Sequence, residues 1–338
     1  MKHWSNLIFS KEHSFAEKAR EVFAYQFSRN TLYQRYCEAL DPEISAGIQN
    51  DLPVPDNIAN IPLLPIRAFK DAAVTTQPEA EPDLIFKSSG TSAMRRSEHR
   101  VHDRRLYEQS LVQGFDHFYA LDSAVIWGYL PRYADNSQSS LIYMIRTLTD
   151  RDQSGLSRFL PLDTPLDEDA IDRVKQSGKQ LILFGAAFGL LDLLDMGQID
   201  LPPNSIVIET GGMKTHRREI ARDQLHQALS AGFGLDNSRI HSEYGMAELL
   251  SQAYARGGKW FKTVPWMQVS VRNPENPSEI LPPYNEGLIG VIDLANIYSC
   301  SFILTSDKGM TDNNGRFQVL GRWNPRDLRG CNFLIEED

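Results

Sequence analysis

The sequence predicts an α/β protein, with a mainly parallel sheet and helices on its faces, that passes into a β-rich unit towards residue 320. Two patterns and one bulk property predict it. Short apolar runs at 84–86, 124–129, 180–184 and 206–208 alternate with helix-period segments at 103–118, 140–148, 167–174, 187–194 and 217–229. Strands covered on both faces lose the polar alternation of a half-exposed strand, and strand–helix alternation is the mark of a parallel sheet. After Trp260 the helical period gives way to short strand-like segments at 259–272, 288–294, 301–305 and 316–320, separated by turn residues. With 338 residues, 41% of them hydrophobic and 10% aromatic, the chain can bury a large core as one domain or two subdomains.

Taken in order, residues 14–40 place Phe15, Val22, Phe23, Phe27, Tyr33, Tyr36 and Leu40 among charged residues at helical spacing, which predicts one or two amphipathic helices. The stretch 52–69 carries Pro53, Pro55, Pro62 and Pro65. Proline lacks the N–H donor and biases its predecessor away from helix, so an extended connector over the core is expected there. The alternating segments complete an α/β core over residues 1–258, the β-rich subdomain takes 259–320, and 321–338 form a short tail. No internal repeat or low-complexity tract is present.

Bulk chemistry excludes several functions. A net charge of −9 argues against nucleic acid as a partner, because no basic excess is available to neutralise phosphates. Cys37, Cys300 and Cys331 are widely spaced and odd in number, so neither a disulfide framework nor a zinc site is expected, and the compartment expected is the reducing cytoplasm. Residues 1–10 lack an apolar core after a basic start, and no window reaches the length of a membrane span; neither export nor membrane insertion is expected.

Five segments carry chemistry. Ser88, Ser89, Gly90, Thr91 and Ser92 follow the apolar run at 84–86 and precede Arg95 and Arg96. Glycine permits a tight turn that aims backbone N–H groups at phosphate oxygens, the hydroxyls add donors, and the arginines add charge. Gly211 and Gly212 follow the run at 206–208, where a turn at the carboxyl edge of a sheet borders the usual ligand crevice. Tyr244, Gly245 and Glu248 follow a short strand around Ile240, so that a ring could stack on a purine while Glu248 holds a Mg²⁺ bridging phosphates. Asp307 is expected in a turn after a strand, able to accept bonds from both ribose hydroxyls, and Arg322 after Gly321 could reach the same nucleotide. His99, His102, His216 and His241 lack metal-ligand spacing; His241 is a candidate lining residue of the nucleotide pocket, with a structural role the simpler expectation for it and for His99. Cys37 and Cys300 read as small core residues, and Cys331 either ends a packed strand or serves as a nucleophile.

The order of these segments resembles the large domain of adenylate-forming enzymes, the superfamily of acyl-CoA ligases and luciferases, from Phe86 to Arg322. More closely, the sequence IPLLPIRAFK at 61–70, FKSSGTS at 86–92 with His99 after it, and DLRGC at 327–331 resemble the LuxE-type acyl-protein synthetases, which belong to fatty acid reductase complexes. The resemblance implies ATP-dependent activation of a carboxylic acid, a fatty acid in this family, to an acyl-adenylate. Transfer to a cysteine of the enzyme, which Cys331 matches, and then to an acyl reductase partner of LuxC type would follow. It assigns Glu248 and Arg95 to catalysis, with Mg²⁺ on Glu248, and places ATP on residues 88–92, Gly211, Gly212, Tyr244, Gly245, Asp307 and Arg322. Two departures stand out. Arg95 and Arg96 replace the usual Pro-Lys pair, and the sequence after Arg322 is too short for the customary terminal domain and its lysine, so Lys87, Lys214, an arginine or a partner subunit is expected to supply that charge. The alternatives are a carboxylate–CoA ligase resembling the phenylacetate type and a nucleotide-binding scaffold without chemistry.

Overall fold

The computed structural model describes residues 4–41, 55, 57–88, 96–130, 136–162, 164–197, 199–211 and 220–323. Three helices come first, Trp4–Phe9, Phe15–Arg29 and Thr31–Leu40. The second and third occupy the stretch where the apolar spacing predicts one or two helices, and they are two. Ser14 starts the second with a capping box: its Oγ accepts from the Glu17 N–H at 3.3 Å, and Glu17 Oε2 accepts from the Ser14 N–H at 2.7 Å. Two amides that helix geometry leaves without partners are thereby satisfied. Asn30 ends this helix and caps the next through the Tyr33 N–H at 3.0 Å.

The proline-rich stretch, expected as an extended connector, also pairs as a strand and ends in a helical turn. Leu64–Pro65 (β1) adds to the edge of a sheet, parallel to Ile303 and Leu304, and Ala68–Asp71 forms one helical turn. An edge position tolerates Pro65 because one side of the strand needs no ladder donor. Leu84–Lys87 (β2) departs from expectation. It pairs only with Glu98–Val101 (β3), in a two-stranded antiparallel ribbon separate from the main sheet.

The main sheet is built from Ala124–Tyr129 (β4), Arg158–Phe159 (β5), Gln180–Ala186 (β6), Ile206–Thr210 (β7), Ile240–Tyr244 (β8), Ala253–Arg256 (β9) and Lys262–Thr263 (β10). Its order is β10-β9-β8-β7-β6-β4-β5; the strands from β8 to β5 are parallel, and β9 and β10 extend it antiparallel. Period-two alternation divides each apolar run between two cores. Val125, Trp127, Leu181, Leu183 and Val207 pack with Ile171, Val174, Leu190 and Leu225 from the helices Glu168–Ser177, Ala187–Asp195 and Arg222–Gly232. Ile126, Ile182, Phe184 and Ile208 belong to the opposite core, with Leu111, Phe115 and Ile145 of Arg104–Phe118 and Ser140–Thr149.

The expected β run at 259–272 divides between the sheets, since Met267–Arg272 (β11) belongs to a second one with Gly287–Asp293 (β12), Phe302–Thr311 (β13) and Phe317–Arg322 (β14). β13 pairs with β12 along one edge; its other edge takes β1 near Ile303 and β14 from Asp307 onward. Gly309 sits at the register shift there, and a Cβ on it would lie 2.4 Å from the Gln318 carbonyl oxygen. This sheet shares the larger core with the N-terminal helices, where Tyr33 stacks on Phe302 at 5.9 Å.

One buried side chain ties those helices to the second sheet. Gln26 Nε2 donates to the carbonyls of Asn296 and Ile297, both at 2.9 Å, and Oε1 accepts from the Ser301 N–H at 2.9 Å. Replacement by leucine of similar size would leave buried backbone groups unpaired. Gln26→Leu is expected to lower stability by about 3 kcal/mol in urea unfolding; a loss under about 1 kcal/mol would show that the helix docks through apolar contact alone.

Candidate active site

β7 and β8 end side by side at Thr210 and Tyr244, at the carboxyl edge of the parallel strands where open α/β sheets collect ligands. Gly211 follows β7 directly, and Gly245 follows β8. A Cβ on Gly245 would lie 2.3 Å from Glu243 Oε1, so any side chain there would displace that carboxylate. Glu243 is buried, accepts a bond from the Thr210 hydroxyl, and is pushed up to about 7 by burial, helped by the charge of Glu209.

Tyr244 and Asp307 come together across the two sheets, the tyrosine hydroxyl donating to Oδ2 at 3.0 Å. The ring expected to meet a purine is itself buried, edge-to-face with Phe261 and Phe317. Its polar end is what reaches the site. Asp307 lies inside β13 and not in the turn expected from the sequence, because β14 extends the ladder and sets Arg322 opposite it. Arg322 Nε donates to Oδ1 at 3.0 Å. The arginine side chain is 75% exposed and the aspartate 11%. Burial raises the Asp307 pKa, against the opposing pull of Arg322 and Tyr244. Each carboxylate oxygen keeps further acceptor capacity for a hydroxyl. Gly321 adopts φ +128, a value that favours glycine, immediately before Arg322.

Glu248 is buried and accepts a short bond from the Ser97 hydroxyl. Burial raises its pKa; the Ser97 bond and the charges of Arg322 and Lys70 oppose the rise. Its backbone is fixed independently. Asn296 Nδ2 donates to the Glu248 carbonyl at 2.7 Å, and the two ring nitrogens of His99 lie 2.7 Å from the Ala247 carbonyl and 2.9 Å from Asn296 Oδ1. Just beyond Glu248, the amides of Leu250 and Ser251 donate to Asp293 Oδ2 at 2.8 and 2.9 Å.

Ser97 joins this cluster to the proposed phosphate loop. It stands at the base of the β2–β3 ribbon, where its N–H donates to Ser88 Oγ at 3.1 Å and its carbonyl accepts from the Ser88 N–H at 3.1 Å. Ser88 and Ser97 are thereby paired next to the β2–β3 ladder. Ser89, Gly90, Thr91, Ser92, Arg95, Gly212, Lys214, His216 and Cys331 lie outside the described residues.

Of the remaining candidates, His99 is the structural histidine expected, buried and held near 4 chiefly by desolvation. His241 does not line this site; it lies at the opposite end of β8, against Tyr119. Burial pushes the Cys37 thiol up to about 12 and that of Cys300 higher still, which suits core residues and not nucleophiles. Sequence reasoning missed Ser97, Asn296, Asp293 and Lys70. The first three lie in other segments and act through contacts no local motif encodes, and Lys70 ended a stretch read only for its resemblance.

The arrangement offers a carboxylate bonded to Ser97 beside Ser88, a second carboxylate with acceptor capacity for a diol, and two cations whose charge reaches Glu248. Among the described residues no group of three His, Cys, Asp or Glu could hold a metal ion. A Mg²⁺ here would rest on Glu248 and on phosphate oxygens, a division suited to that ion. Also among the described residues, no helix is long and apolar enough to cross a membrane.

Comparison with known proteins bears on the family and the fold. The long-chain-fatty-acid–luciferin-component ligase of Vibrio harveyi is 24% identical over 94% of this chain and 85% of its own length. In fold, the chain is similar to 2-hydroxyisobutyryl-CoA ligase in complex with 2-HIB-AMP and CoA, with a TM-score of 0.63 at 12% identity over 92% of this chain and 68% of that one. It is also similar to ATP-bound MatB from Rhodopseudomonas palustris, with a TM-score of 0.50 at 18% identity over 72% of this chain. The match spans about half the length of MatB, 49%. The α/β architecture with its β-rich sheet is thus that of adenylate-forming enzymes. Residues 157–338, more than half of the sequence, match the family described as Acyl-protein synthetase, LuxE, and the chain belongs to that family.

Proposed function

We propose that the protein is an ATP-dependent ligase that activates a carboxylic acid, with a fatty acid as the leading candidate, and passes the acyl group to the thiol of Cys331. The observation that carries the reading is the Ser97–Glu248 bond, which ties the stem of the phosphate loop to the carboxylate of the Tyr-Gly-x-x-Glu segment. The ligase name of the Vibrio harveyi relative supports the fatty acid as substrate. ATP as co-substrate is supported by the ATP-bound MatB structure of similar fold.

In the first step a carboxylate oxygen of the acid attacks the α-phosphorus of ATP, and the bond to pyrophosphate breaks with its electron pair leaving on pyrophosphate. Two anions must meet, so catalysis depends on preorganised positive charge. Arg322 and Lys70 act on the region of Glu248, and Arg95 with the hydroxyls of residues 88–92 would surround the phosphates. Mg²⁺, when bound, would neutralise phosphate charge and orient the leaving group. Asp307 orients the nucleotide through the ribose hydroxyls, with Tyr244 and Arg322 holding its carboxylate in place. In the second step the Cys331 thiolate attacks the acyl carbonyl carbon, the carbon–oxygen bond to AMP breaks, and a thioester forms. The buried thiols of Cys37 and Cys300 are poorly placed for this. An acyl reductase would then receive the acyl group from Cys331.

Acid-dependent exchange of labelled pyrophosphate into ATP tests the first step. Glu248→Gln is expected to lower the exchange about 100-fold, because the charge is lost while the volume and the Ser97 contact are kept. An unchanged rate would remove Glu248 from the site. Asp307→Ala is expected to raise the KM for ATP about tenfold and to leave that for the acid alone; equal rises would point to general damage. For the second step, protein incubated with ATP and labelled fatty acid should carry a label cleaved by neutral hydroxylamine. Cys331→Ser should lose that label and retain pyrophosphate exchange. Persistence of the label in the variant would move the acceptor elsewhere, and acyl-CoA release without any protein label would make CoA the acceptor.

A further inference from the structure

We propose that a second anion site lies at the amino edge of the main sheet, where Arg239 and Arg256 line a cleft of about 410 Å³ suited to a phosphate group on a small organic body. The cleft opens where the parallel strands begin. Gln180 and Ile206 start β6 and β7, Arg239 immediately precedes β8, and Arg256 ends the antiparallel β9 beside His241. The length of the strands therefore separates it from Gly211, Tyr244 and Glu248 at the carboxyl edge, and nothing in the proposed ligase chemistry uses it.

The lining of this cleft brings cations together without an acid among them. The chain carries 44 acidic residues against 35 lysines and arginines, yet none of the residues lining the cleft is acidic. Arg256 Nη1 donates to the Phe118 carbonyl at 3.0 Å, which leaves most of its fork unused. No side-chain hydrogen bond or ion pair of the half-buried Arg239 guanidinium is found among the described residues. Asp236, outside the lining, offsets part of the Arg239 charge, while its carboxylate is held by the Ser238 N–H at 2.8 Å.

His241, between the arginines, is neutral and contributes no charge. Its Nε2 faces the Ser238 carbonyl at 3.1 Å and so carries the proton, which leaves Nδ1 to accept from the Tyr119 hydroxyl at 3.1 Å. Burial, then the charges of Arg256 and Arg239, hold its pKa down to about 4. Two guanidinium forks on separate elements match the three terminal oxygens and double charge of a phosphomonoester better than a single carboxylate. Phe118, Tyr119 and Ile206 supply an apolar wall for an organic body, in a volume typical of small-molecule sites.

The probe is phenyl phosphate, titrated into the full-length protein and followed by calorimetry and by the His241 ring signals in NMR. One molecule should bind per chain with a Kd below about 1 mM, and the His241 titration midpoint should rise because the bound anion offsets the two arginines. Arg239→Gln and Arg256→Gln should each weaken binding at least about tenfold with unchanged melting temperature, since neither side chain is part of the core. Arg95→Gln should bind phenyl phosphate as wild type does, and inorganic phosphate should bind more weakly for want of the ring. Absence of binding at about 10 mM, full affinity in either cleft arginine variant, or loss in Arg95→Gln would overturn the proposal; the last outcome would place the phosphate in the nucleotide site.

Discussion

The buried carboxylate of Asp293 is the constraint on which the site's geometry depends. It ends β12, and its two oxygens accept four bonds: from the amides of Leu250, Ser251 and Ala295 and from the Ser251 hydroxyl at 2.6 Å. Burial raises its pKa to about 6, so at neutral pH it remains a carboxylate whose desolvation is offset by these donors. The network continues outward. Trp266 Nε1 donates to the hydroxyls of Ser110 and Ser251, both at 3.0 Å, and Asn296 carries the restraint to the Glu248 carbonyl. A buried network of this kind specifies one arrangement when every member is satisfied and destabilises the fold when one is not. Glu248 thus owes its position to groups that would never touch a ligand.

Charge is distributed unequally between the two edges of the main sheet. At the carboxyl edge Asp307, Glu243 and Glu248 are all buried, each with a raised pKa, and the cations that act there, Arg322 and Lys70, reach in from exposed positions. Such an edge selects ligands that bring hydroxyls or cations to the carboxylates and anions to the arginine. At the amino edge the sign is reversed, because arginines line a cleft without acids. Strands of about five residues span roughly 16 Å, so solvent and salt screen one edge from the other.

Much of the fold was legible in the sequence for reasons that can be named. The strands from Ala124, Gln180 and Ile206 were found because coverage on both faces makes the whole run apolar, and the helices from Phe15, Arg104 and Glu168 because one face repeats at helical spacing. What escaped depends on partners distant in sequence. Leu64–Pro65 became a strand only because β13 offered an edge, and Asp307 left its expected turn only because β14 lay opposite. In the site, Tyr244, Glu248, Asp307 and Arg322 were legible as types in order. The use of the tyrosine hydroxyl, and the role of Ser97 as the link, could not be read before the ribbon and the sheets were set together.

The Gln26 contact sets an order of events during folding. Its partners Asn296 and Ser301 lie 270 and 275 residues further along the chain, and Leu64 pairs with Ile303 over a similar span. The N-terminal helices therefore emerge from a ribosome long before the surface they cover has been made. Contacts of such separation form late and slowly, since loop closure must be paid before they reward it. Until then Phe23, Phe27 and Tyr33 have no second sheet to bury them, and the nascent helix pair carries exposed apolar surface until the last third of the chain has been made.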